Sequence, residues 1–87
     1  PAIVRRPAAS DYADVGDANK VPLDAQGKSV YAKFLSTNPP RAFAIGERGA
    51  VGWAIGDYAV GKAIGFCQRG GQICRLYAVD NEVVWQP

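Results

Sequence analysis

The chain of 87 residues contains no histidine and no methionine, only two cysteines, and no apolar run near the roughly 20 residues a membrane span requires. Each absence excludes something. Without an imidazole there is no serine or cysteine hydrolase built on a histidine base, no His-ligated zinc and no imidazole pH switch. Two cysteines alone make no thiolate metal site, so neither a metal nor a cofactor is expected. The missing methionine means that Pro1 is not an initiator; excision from a longer chain, cleavage of a targeting peptide or removal of a leading Met are the three origins that fit. Clustered positive charge is also lacking. Ten Lys and Arg face eight Asp and Glu, and Arg5-Arg6 is the only adjacent basic pair. Nucleic-acid binders concentrate such residues on one face, so no nucleic-acid partner is expected.

What is present reads as one small α+β domain over residues 1–87, large enough for a single modest core. Residues 1–7 read as an extended arm, because Pro7 biases Arg6 away from helix. Residues 8–38 read as mainly helical. Ser10 is placed to cap a short helix over 11–18, and Asp24 to cap a longer one reaching Asn38, in which Val30, Tyr31, Phe34 and Leu35 form an apolar stripe. Asp11, Asp14 and Asp17 lack the alternating oxygen pattern of a calcium loop and read as a solvated face.

From residue 39 the pattern becomes hairpin, helix, hairpin. Phe43, Ile45, Val51, Trp53 and Ile55 alternate with Ala42, Ala44, Ala50, Gly52 and Ala54, so one sheet face is bulky and the other nearly bare. The bare face invites the close approach of another backbone. Asp57 to Gln68 reads as a helix capped by Asp57 and stopped by Gly70-Gly71, with Gly61 and Gly65 packing closely on the alanine-rich face. Ile73–Val79 and Glu82–Trp85 form a second hairpin about Asp80-Asn81. Strict alternation there puts Cys74, Leu76, Ala78, Val83 and Trp85 on the core face and Arg75, Tyr77, Val79, Glu82 and Val84 on the other. The expected architecture is an antiparallel sheet of about four strands, two main helices and a short N-terminal helical segment.

Cys67 at a helix end and Cys74 at the start of the next strand are placed to meet across a double-glycine turn. A bridge there would contribute about 2 kcal/mol in the chain-entropy model. Two buried thiols are the alternative. A bridge implies an oxidising compartment, hence a periplasmic or secreted protein. Residues 42–85, with Gly52-Trp53-Ala54-Ile55-Gly56, Cys67, Gly71, Cys74, Leu76-Tyr77-Ala78-Val79-Asp80 and Val83-Val84-Trp85, look like a small two-cysteine module of bacterial exported proteins of unknown function. The resemblance implies an exported α+β domain and carries over no catalytic residue.

Two functions follow from the residues. The first is a non-catalytic extracytoplasmic binding module for a protein or peptide of the cell envelope. Its surface would be Arg41, Arg75, Tyr77 and Glu82, residue types that include the arginine and tyrosine of interface hot spots. Against this, Tyr77 and Val84 would form a cross-strand pair covered by the 24–38 helix. Edge strands would also allow pairing with a second copy or an extended peptide. The second function is enzymatic. Pro1-Ala2-Ile3-Val4 resembles the opening of the tautomerase family, which implies a prolyl amine at Pro1 acting as general base, with Arg5 and Arg6 holding an acidic substrate. That family continues into a long amphipathic helix, whereas Pro7, Gly16 and Pro22 interrupt the next stretch here.

Overall fold

The computed structural model describes residues 8–86, and within them the α+β expectation holds. Helix α1 spans Ala25–Leu35 and α2 spans Ala59–Cys67, with short 3-10 turns at Ala18–Lys20 and Gln68–Gly70. Strands β1 (Arg41–Gly46), β2 (Val51–Ile55), β3 (Cys74–Val79) and β4 (Glu82–Val83) form one antiparallel sheet in the order β2-β1-β3-β4. Each helix covers one face, so the sheet is the middle of three layers.

The two faces are built differently. On the α1 side, Tyr31 and Phe34 descend onto Phe43 and Tyr77, with Tyr31 meeting their rings edge-on at centroid distances of 5.0 and 5.4 Å. Trp53 and Trp85 extend this aromatic layer. Edge-to-face contacts of this kind add to the area they bury. On the α2 side, Ala59, Ala63 and Cys67 repeat every four residues and press onto Ala42, Ala44 and Ala54. Gly52 lies beneath them so closely that a Cβ there would stand 2.3 Å from both the Ala63 carbonyl oxygen and the Cys67 nitrogen. The close-packing glycine is thus on the strand. Gly65, expected to pack on the sheet, is exposed and points into open space.

Four further expectations are corrected. Residues 11–17 form bends and turns rather than a helix, and Ser10 donates its backbone N–H to the Val83 carbonyl instead of capping one. Asp24 does cap α1, accepting from the Gly27 N–H at 2.8 Å, but the helix ends at Leu35, short of Asn38. Asp57 does not cap α2; Tyr58 occupies that position without a side-chain bond. The final hairpin keeps the expected pairs Ala78 with Val83 and Val79 with Glu82. Its alternation, however, is broken by a β-bulge. Phe43 pairs with Ala78 while Ala44 pairs with Leu76, so Tyr77 has no opposite residue on β1. The extra residue puts Tyr77 and Ala78 together on the aromatic side and sends Leu76, Val79 and Val84 to the α2 side. Strict period-two reading misassigned the faces for that reason.

Cys67 and Cys74 form a disulfide with Cα atoms 6.2 Å apart. It ties the last turn of α2 to the first residue of β3. No helix among the described residues is long and apolar enough to cross a membrane, and no group of His, Cys, Asp or Glu there is arranged to hold a metal.

Candidate functional site

The four residues expected to form one surface are divided by the structure. Arg41 is only 5% exposed. Its guanidinium donates to the carbonyls of Phe34, Leu35 and Thr37 at the end of α1, to the Asp80 carbonyl and to the Asn81 side chain, while its carbon lies 4.8 Å from the Phe34 ring centroid. A helix C-terminus leaves carbonyls without intrahelical partners and carries partial negative charge, so a guanidinium fits there. Arg41 therefore fastens α1 to the sheet and to the β3–β4 turn. Tyr77 is fully buried beneath α1, but Val84, expected to share that cover as its cross-strand mate, lies on the α2 side because of the bulge. Arg75 and Glu82 are exposed. The Arg75 guanidinium stacks 4.4 Å from the Trp85 ring centroid and donates to the Gln86 carbonyl at 2.8 Å. Pro1, Arg5 and Arg6 lie outside the described residues.

Burial acts on the two inner tyrosines. Removal from water raises the pKa of both, with the neighbouring ring hydroxyls adding to it; Tyr77 is pushed up to about 12 and Tyr31 further. Tyr31 donates to the Val15 carbonyl, whereas the Tyr77 hydroxyl has no hydrogen-bond partner among the described residues. Both groups are neutral fixtures of the core.

The surface that stands out lies elsewhere. Ile55, Tyr58 and Phe66 are 53%, 72% and 42% exposed; Ile55 ends β2, Tyr58 directly precedes α2 and Phe66 lies in its last turn. Tyr58 sits in the left-handed region at φ 64°, a conformation costing a non-glycine residue about 1–2 kcal/mol. Beside it opens a shallow cleft of about 310 Å³, lined by Pro40, Gly56, Asp57, Tyr58, Val60 and Val79 among others.

One margin of the sheet is β2. Gly46 donates to the Ala50 carbonyl and Gly56 to the Pro40 carbonyl, and the register between them pairs Ala44 with Gly52 and Ala42 with Ala54. Antiparallel alternation then aims the backbone groups of Gly52 and Ala54 at β1 and those of Val51, Trp53 and Ile55 away from it. The outward groups have no partner among the described residues. The strand itself does not blunt this edge, since Val51–Ile55 contains no charge and no proline. At the other end of the sheet β4 is short, and Ser10 already bonds to its Val83 carbonyl.

Val60 and Ile64 on α2 turn towards Leu76, Val79 and Val84, the interior side of the layer. Helical periodicity puts Lys62 and Phe66 on the opposite flank, overhanging the free edge of β2, with the Arg69 guanidinium 4.8 Å above the Phe66 ring. Sequence reading missed this site because strand order decides it, and hairpin signals do not report strand order. Two signals were nonetheless present. The Ala59, Ala63, Cys67 spacing starts α2 after Tyr58, and an uncharged Val51–Ile55 needs a covering element or an adding strand. Compared with known proteins, the chain matches no family model, no curated protein and no solved structure.

Proposed function

We propose that this chain is a non-catalytic interaction module of an oxidising, extracytoplasmic compartment, periplasm or medium, that binds a protein or peptide segment along the β2–α2 margin. The observation that carries the reading is the exposure of Ile55, Tyr58 and Phe66, three of the four large apolar side chains left exposed among the described residues, all carried by β2, α2 and the loop joining them. Exposed apolar and aromatic side chains grouped in this way mark contact surfaces. The Cys67–Cys74 disulfide supports the compartment, since small domains with a structural bridge belong where thiols stay oxidised.

Selection of displayed random peptides against the immobilised protein tests the reading. Binders should be enriched, and Tyr58→Ala with Phe66→Ala should remove them without lowering the unfolding midpoint. Ile73→Ala, which removes an exposed apolar side chain carried by neither β2 nor α2, should retain them. Failure to enrich any binder, or equal retention by the double variant, would sink the proposal.

A further inference from the structure

We infer that the occupant of the margin is a single extended segment with alternating acidic and apolar side chains, added as a fifth strand to the free edge of β2. This rests on the interaction-module reading and names the partner class. The backbone contribution comes from the N–H and C=O groups of Val51, Trp53 and Ile55, which point outward in a row. Side chains of an added strand alternate between faces with a period of two. On the α1 side they meet Val51, Trp53 and Ile55, which are apolar and half-buried or exposed. On the α2 side they pass beneath Lys62 and Arg69, which are exposed and without an ion pair among the described residues. Apolar positions on one face and carboxylates on the other are what this slot complements.

The same geometry decides against a second copy of the chain. Strands in a sheet lie about 4.8 Å apart, whereas packed helices need about 8–10 Å between axes. Because α2 sits directly upon Gly52 of β2, with backbone nearly touching backbone, a symmetric β2–β2 pair would bring two α2 helices closer than that. It would also set Lys62 and Arg69 against their own copies. A lone strand carries no covering helix and meets neither obstacle.

The probe is a short acetylated and amidated peptide in which glutamate and valine alternate, followed by amide hydrogen exchange. On binding, exchange at Val51, Trp53 and Ile55 should slow by about tenfold or more, while Gly52 and Ala54, already bonded to β1, should change little. A lysine–valine peptide of equal length should bind about tenfold more weakly, and Lys62→Glu with Arg69→Glu should invert that preference. Ile55→Pro deletes one outward donor without touching a β1–β2 hydrogen bond, so it should abolish binding while unfolding stays unchanged. Should Ile55→Pro unfold the chain, Ile55→Lys serves as the second variant, placing a charge on an already exposed side chain.

Protection that appears with protein concentration and no peptide would identify a second copy and overturn the inference. Selected binders that leave the three amides unperturbed would overturn the edge while sparing the interaction-module reading. Absence of any binder, selected or synthetic, would overturn both.

Discussion

The two faces of the sheet reach the same end by opposite means. On the α1 face large rings fill the space between helix and sheet, so the helix stands off and side chains make the contact. On the α2 face alanine and glycine leave almost no side chain, so helix and strand backbones nearly touch, and a disulfide closes the layer. Where rings make the contact, rotamers can adjust to a change of volume. Where backbones make it, little can relax. Tolerance of substitution should therefore differ between faces more than burial does.

The largest effect is expected from Gly52→Ala. The added methyl would meet Ala63 and Cys67 backbone atoms, so α2 as a whole must shift. We expect a loss of about 3 kcal/mol or more, above the usual range for one added carbon, because no flexible side chain can yield. Denaturant titration of the variant measures it. A loss below 1 kcal/mol would mean that α2 rides on the sheet more loosely than its contacts imply.

Cleavage of the disulfide should cost less and act more locally. Reduction, or Cys67→Ala with Cys74→Ser, reopens a short loop and should remove about 2 kcal/mol, lowering the melting temperature by about 10–15 °C. Hydrogen exchange should show the loss mainly in α2, with α1 amides following only at global unfolding. Equal loss of protection in both helices would show that the faces form one cooperative unit and would erase the distinction drawn between them.

The same contrast explains what was legible in the sequence. The bare face was readable from Ala42, Ala44, Gly52 and Ala54 alone, because period-two alternation is local and so is the cysteine spacing. The role of Arg41 was not. Its acceptors are carbonyls of Phe34, Leu35 and Thr37 together with the Asp80–Asn81 turn, groups up to 40 residues from Arg41 in sequence that only the folded chain assembles. The bulge at Tyr77 was equally hidden, since a one-residue insertion leaves composition unchanged and reverses every face assignment beyond it. The outer position of β2 was hidden for a related reason: β1 and β2 look alike as strands, and only the pairing of β1 with β3 makes β2 the outer one.

On the aromatic face the smallest and most unusual effect is expected at Tyr77, where a change should stabilise. Its hydroxyl is buried without a hydrogen-bond partner among the described residues, so the folded state carries a desolvation cost that phenylalanine would not. Tyr77→Phe keeps the ring, and with it the edge-on contacts to Tyr31 and Tyr12, and should raise stability by about 1 kcal/mol at neutral pH. The gain should widen in alkali. A tyrosine raised from 10 to about 12 on folding keeps its proton in the native state while the unfolded chain loses it, so stability falls as pH climbs from 10 towards 12. Tyr31 is raised as well and contributes a fall of the same sign. Removing the Tyr77 hydroxyl removes one of these contributions, so urea midpoints of variant and wild type should diverge above pH 10 and run parallel below it. A variant less stable than wild type at pH 7 would mean that the hydroxyl is hydrogen-bonded after all, and the aromatic face would then be as exacting as the backbone contact opposite it.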